Sequence, residues 1–169
     1  MDPRSEADDA ISGLYAAHAR GLVRLAWLLL HDVGDAEEVV QDAFVALHRR
    51  WSALDAPASA PAYLRRSVVN GARSALRHRG VVVRHSAALR AEAETTAPGA
   101  DTVAAGAAER AAVLARLARL PQRQREVLVL RYYLDLSERE IADTLGISPG
   151  SVKSHAHRGL AALRAGQEL

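Results

Sequence analysis

The chain has 169 residues, 49% of them apolar but only 4% aromatic, with no cysteine and a net charge of +2. That length allows one domain or two small ones; the absence of cysteine excludes a disulfide frame and a thiolate metal site, and the longest apolar run, near Leu25 to Leu30, is too short to span a bilayer. The small net charge hides an uneven layout: residues 1–48 carry nine acids against three bases, and residues 49–90 carry nine bases against one acid.

A core built from Leu, Val and Ala suits helix-on-helix packing, and no stretch alternates with the period of a strand. The first helix is expected from about Ser5 to Leu30, with Ile11, Leu14, Tyr15, His18, Leu22, Leu25 and Leu29 recurring at three- and four-residue steps toward a core. The acidic opening MDPRSEADDA does not read as a signal peptide, so a cytoplasmic protein is expected, with no membrane partner. After the break at HDVGD, a second helix starts near Asp35 as its N-cap and reaches about Trp51, burying Ala36, Val39, Val40, Ala43, Phe44 and Leu47. Its outward residues include Glu37, Glu38, Gln41, Asp42 and His48. That acidic, polar ridge fits either a solvated face or a protein partner with cationic helices.

The segment SALDAPASAPA, with two of its residues proline, is a loop. A third helix is expected from about Pro61 to His78, with Leu64, Val68, Ala72 and Leu76 inward. Arg66, Asn70, Arg73 and Arg77 stand four, three and four apart, on the opposite face, and Arg65 and Arg79 widen the stripe. Such a ridge can follow a phosphate backbone, with Asn70 free to hydrogen-bond a base; taken alone, it is also compatible with a solvated cationic face. The loop from Trp51 to Tyr63 could hold a single unstacked base, although Trp51 reads better as a core anchor. These helices make a first domain over residues 5–84.

Residues 85–106, containing TTAPGAD, form a linker. A second domain, residues 107–169, holds four helices at about 107–119, 122–134, 137–145 and 149–165. Ser137 and Glu140 fit a capping box. Gly146 permits the left-handed turn that ends the third of these helices, and Ser148 and Pro149 open the fourth. With Ala142 and Val152 expected to pack across the turn, the caps, turn and packing residues together point to a helix-turn-helix; the alternative is an ordinary helical hairpin. Val152, Leu160 and Leu163 point inward. Ser151, Lys153 (the chain's only lysine), Ser154, His157 and Arg158 face out near the N-terminal half, where a recognition helix meets base edges and phosphates. Arg158 suits guanine or phosphate, and Lys153 suits phosphate or guanine better than adenine. His155 and His157 diverge by about 200° on a helix, so they cannot grip one metal ion together. No phosphate loop, metal signature or catalytic constellation is present, so neither a cofactor nor an enzymatic activity is expected.

"DAEEVVQDAFVALHRRW" followed by "AYLRRSVVNGARSALRHR" resembles region 2 of bacterial sigma factors. "LPQRQREVLVLRYYLDLSEREIADTLGISPGSVKSHAHRGLAALR" resembles region 4. The pair, separated by a short linker, resembles the extracytoplasmic-function (ECF) group. The resemblance implies an all-α fold of two small domains, a three-helix region 2 and a four-helix region 4. It implies a protein that binds RNA polymerase core and directs it to promoter DNA. Glu38, Gln41 and Asp42 would dock on the clamp helices, and the helix over 122–134 with its neighbours would meet the flap. Arg65, Arg66, Asn70, Arg73 and Arg77 would read and open the −10 element, with Asn70 as the base contact. Ser151, Lys153, Ser154, His157 and Arg158 would read the −35 element. An anti-sigma factor is a further candidate partner. Alanine at position 156 departs from the larger apolar residue usual in the family, which implies looser packing of the recognition helix, and His157 leaves its base preference open. The alternative is a response-regulator-type activator, whose α/β receiver domain residues 1–90 do not resemble. An RNA-binding adaptor would use the basic stripe and leave the helix-turn-helix and acidic ridge without a purpose.

Overall fold

The computed structural model describes residues 3–85 and 106–166, and among them the chain is helical, with no strand. It divides into two compact units, Met1–Pro98 and Gly99–Leu169. The linker expected over 85–106 lies, apart from its two ends, outside the described residues. Among the described residues no helix is long and apolar enough to cross a membrane.

The first unit packs three helices, α1 (Pro3–Leu30), α2 (Val33–Arg50) and α3 (Ala60–His85), each against the other two. Leu25, Leu47, Leu64, Val40, Val68 and Val69 are fully buried at the centre. Each such side chain contributes about 1.5–3 kcal/mol of transfer free energy. The core is concentrated on the C-terminal half of α1, where Leu22, Leu25, Ala26, Trp27, Leu29 and Leu30 are buried. Farther back, Ile11, Leu14 and His18 are only half-buried, and Tyr15 is 51% exposed, although its ring meets Phe44 edge-on at 5.0 Å. The expected inward stripe therefore fades toward the N-terminus, because α2 and α3 cover only part of a 28-residue helix.

The corner between α1 and α2 is compact. His31 takes a left-handed backbone (φ 55°), its N–H donates to the Trp27 carbonyl at 2.7 Å, and its ring stacks on Trp27. One residue in that conformation ends a helix by satisfying a free carbonyl. Asp32, not Asp35, is the N-cap of α2: its carboxylate accepts the Asp35 N–H at 2.9 Å. Asp35 sits one turn inside, where a negative charge is favoured by the helix dipole. Short 3₁₀ turns at Trp51–Ala53 and Pro57–Ser59 carry the chain into α3, which begins one residue before Pro61 and runs seven residues past His78. Where α2 and α3 cross, a Cβ on Gly71 would lie 2.8 Å from a Val39 methyl. Only glycine allows this approach.

The second unit contains α4 (Ala107–Arg119), α5 (Gln122–Tyr132), α6 (Glu138–Leu145) and α7 (Pro149–Ala165). The α5 helix stops two residues short of expectation, because Asp135 turns the chain with φ 52°. The α5 helix is the hub, with Val127, Leu128, Val129 and Leu130 buried. Arg125 joins it to α4: its Nη2 donates to the carbonyls of Ala118 and Leu120, both at 3.0 Å. A guanidinium at the last carbonyls of a helix satisfies groups that the helix itself leaves open. Burial lowers the Arg125 pKa, and the Glu126 carboxylate opposes that shift. Glu126, 2% exposed, is held by the Gln122 amide at 3.0 Å and Arg123 at 3.1 Å.

Candidate nucleic-acid and protein interfaces

In the first unit the acidic ridge lies along the outer face of α2. Glu38, Gln41 and Asp42 are exposed, as are Glu37 and His48. Sequence reasoning missed Val45, which is 48% exposed. It stands seven residues after Glu38 and four after Gln41, so it shares their face. An apolar side chain open to solvent within a polar ridge is what a protein contact uses at its centre. The signal was available in that spacing. His48 reaches back to α1, its Nε2 lying 2.8 Å from Asp8 Oδ1, with both side chains largely exposed.

The basic stripe on α3 divides. Arg66, Asn70 and Arg77 are exposed, while Arg65 and Arg73 are half-buried. Arg77 Nη2 donates to Ser74 Oγ at 3.0 Å. Arg79, expected to widen the stripe, is instead turned inward: its Nε donates to Asp35 Oδ2 at 2.9 Å, Nη2 pairs with the same carboxylate, and Nη1 donates to the Leu30 carbonyl at 2.8 Å. Its charge is spent on fastening α3 to the α1–α2 corner. A groove runs between α2 and α3, with Glu38 and Asp42 on one wall, Asn70, Ser74 and His78 on the other, and Ala43 in its lining. Asn70 thus belongs to two surfaces, the cationic stripe and the groove that faces the acidic ridge. In the preceding loop Trp51 is half-buried, and the Arg50 guanidinium lies 6.0 Å from the centre of the half-buried Tyr63 ring.

In the second unit the helix-turn-helix is set by its caps. Ser137 Oγ accepts the Glu140 N–H at 3.2 Å while the Glu140 carboxylate accepts the Ser137 N–H at 2.8 Å. Gly146 is left-handed (φ 65°), as a helix ending in a tight turn requires. Ser148 Oγ accepts the Ser151 N–H at 3.1 Å, and Pro149 fills the first position of α7. Val152, Ala156 and Gly159 form the buried seam of α7, while Leu160 and Leu163, expected inward, are half-buried. A Cβ on Gly159 would come within 2.9 Å of Leu128 Cδ1 and 3.3 Å of Gln124 Cβ. The small residues at 156 and 159 therefore bring α7 close to α5. Alanine at 156 is 3% exposed, so it does not leave the helix standing off the core.

On the outer face Lys153, Ser154, His157 and Arg158 are exposed together. Arg158 Nε donates to the Ser154 carbonyl at 3.3 Å, and Lys153 Nζ lies 3.8 Å from Glu138 Oε1 on α6. Ser151 differs from expectation. It is half-buried, and its hydroxyl is hydrogen-bonded with that of Ser148 at 2.9 Å, so it serves the cap before any outside partner. His155 is half-buried with Nδ1 enclosed and without a hydrogen-bond partner, while His157 is exposed. Among the described residues no group of three or more His, Asp or Glu could hold a metal ion.

Two family models match the chain, one within each unit. The family model described as Sigma-70 region 2 matches residues 14–81, and that described as Sigma-70, region 4 matches residues 110–163. The chain is 35% identical over 143 residues to the RNA polymerase sigma-E factor of Streptomyces coelicolor, covering 85% of this chain and 77% of that protein. It is 35% identical over 162 residues to the ECF RNA polymerase sigma factor SigM of Mycobacterium tuberculosis, covering 91% and 75%. Among solved structures, the sigma factor RpoE of Bartonella quintana, crystallised with the anti-sigma factor NepR, has the same fold, with a TM-score of 0.71 at 21% identity over 99% and 98% of the two chains. CnrH, solved in complex with the cytosolic domain of CnrY, has a TM-score of 0.66 at 29% identity over 96% of this chain and 94% of that one.

Proposed function

As a member of the ECF group of RNA polymerase sigma factors, the chain is an alternative sigma factor for promoter-specific transcription, and we propose that it divides that work between two sets of surfaces. The ridge of Glu38, Gln41 and Asp42, with Val45 at its C-terminal end, docks on the clamp helices of RNA polymerase core. Arg66, Asn70 and Arg77, with Arg65 and Arg73 behind them, act on the −10 element. Lys153, Ser154, His157 and Arg158 read the −35 element, and Ser151 sets the start of their helix. The observation that carries this reading is the pairing of a polar acidic ridge and a cationic stripe in one helical unit with a capped helix-turn-helix in the other.

Electrostatics supports the division. Phosphate contacts supply affinity without sequence, and a good base contact adds discrimination of about 1–3 kcal/mol. An acidic ridge would be repelled by DNA and attracted by cationic protein. Two small readers carried on one polymerase gain from effective concentration, so neither has to bind tightly alone. The work falls in the cytoplasm and needs no catalytic step from this chain, no cofactor and no membrane. The flap of the polymerase is assigned to α5 and its neighbours. An anti-sigma factor is proposed as the third partner, and both solved relatives were captured with a protein bound.

The test is run-off transcription by purified core, with and without this chain, on a promoter library. Promoter-dependent transcripts are expected only when the chain is present; core that neither binds it nor changes its transcripts overturns the reading. Replacing Gln41 and Asp42 by Ala should weaken core binding by about thirtyfold or more, the scale of truncating interface hot spots. Unchanged core affinity would remove the ridge assignment. Replacing Lys153 and Arg158 by Ala should lower use of the upstream element by about tenfold or more while core binding stays intact.

A further inference from the structure

The recognition helix carries an acid at its elbow. Glu138 opens α6, and its carboxylate lies 3.8 Å from the Lys153 ammonium on α7. The pair is lopsided: the Glu138 side chain is 30% exposed and that of Lys153 is 73% exposed. Glu138 also sits in the first turn of α6, where the helix dipole favours a carboxylate. The anion is therefore the fixed partner, and the lysine, on its flexible stem, is the movable one.

This arrangement treats two DNA groups differently. A phosphate that approaches Lys153 meets one cation and one anion a few ångströms apart, so attraction and repulsion largely cancel. A guanine edge offers two neutral acceptors, O6 and N7, and provokes no such repulsion. The ammonium has three donors, so it can keep the carboxylate and still reach the base. Repelling the wrong ligand gives specificity as well as attracting the right one.

We infer that Glu138 is a positioning residue for promoter reading: it holds Lys153 in a locally neutral pair that declines bare phosphate and accepts a base edge. The inference rests on the proposed entry of α7 into the major groove of the −35 element. It assigns a specificity role to a residue outside the recognition helix, on the element that packs behind it.

The experiment uses the full chain assembled with RNA polymerase core, a promoter duplex selected from the library, and a random-sequence duplex of equal length as competitor. Glu138→Gln is expected to raise affinity for the random duplex about threefold, the scale of an exposed ion pair, and to steepen its salt dependence by about one counterion. Affinity for the selected duplex should move less, so the specificity ratio falls. In a Lys153→Ala background the same substitution should raise affinity for both duplexes alike, by relieving direct repulsion of phosphate, and leave the specificity ratio unchanged. Equal weakening of both duplexes by Glu138→Gln would assign the residue to the stability of α6 and overturn the inference. So would a change in the specificity ratio that survives Lys153→Ala. If Lys153→Ala alone leaves upstream-element use unchanged, the −35 assignment itself fails; if it weakens that use and Glu138→Gln alters no ratio, only the present inference fails.

Discussion

In the first unit several of the polar contacts that fix the helices join residues 40 or more apart in the chain; in the second the caps that start α6 and α7 each act within one turn. Arg79 reaches back 44 residues to Asp35 and 49 to the Leu30 carbonyl, and His48 reaches 40 residues to Asp8. The capping pairs Ser137 with Glu140 and Ser148 with Ser151 each span three. The first unit has three long helices that share one apolar core, so packing sets its shape and a few distant ties trim it. The second has an α6 of only 8 residues, shorter than an isolated helix can sustain, so the chemistry of the helix ends must specify it. The proposed surfaces follow the same contrast. Those of the first unit run along helix faces, and that of the second gathers at a helix start.

The contrast can be broken most severely in the first core. Leu64→Ala removes a fully buried side chain at the crossing of the three helices and should cost about 2–5 kcal/mol in denaturant unfolding. An effect below about 1 kcal/mol would show that the stripe on α3 is not what sets that unit. A smaller loss, about 1–3 kcal/mol, is expected when either close crossing is overfilled, by Gly71→Leu against Val39 or Gly159→Leu against Leu128. The smallest effect sharpens the comparison: Ser137→Ala should cost about 1 kcal/mol and loosen amide protection at the start of α6 alone. If hydrogen exchange instead rose throughout α5 and α7, the capping box would be a tertiary contact and the distinction between the units would fade.

The same difference explains what was legible in the sequence. The boundaries of α6 and α7 followed from Ser137, Glu140, Gly146, Ser148 and Pro149, because each acts on backbone within a few residues. The resemblance to sigma regions 2 and 4 also lay in contiguous strings, and it identified the family. Arg79 was misjudged because a charge count along one helix does not reveal a carboxylate 44 residues earlier. Asp35 was taken as the cap because it precedes the apolar stripe, yet Asp32 has the extended backbone that a cap requires. Ser151 lies at an outward position by angle, but the cap holds its hydroxyl. Val45 was passed over because apolar residues on α2 were assigned to the core, although its spacing from Glu38 and Gln41 places it on their face. Alanine at 156 looked like a vacancy until Gly159 and Leu128 showed how near α5 comes.

That contact at Gly159 gives the reading helix a mechanical stop. A helix resting on hydrogen atoms at one point has its tilt set by the bulk beneath that point. A single methyl added there would act as a shim, tilting α7 and shifting the start of the helix, with Lys153, without altering any residue on its outer face. In the proposed −35 reading, promoter preference would then drift through changes on the hidden side, and two chains with identical outer faces need not read the same sequence.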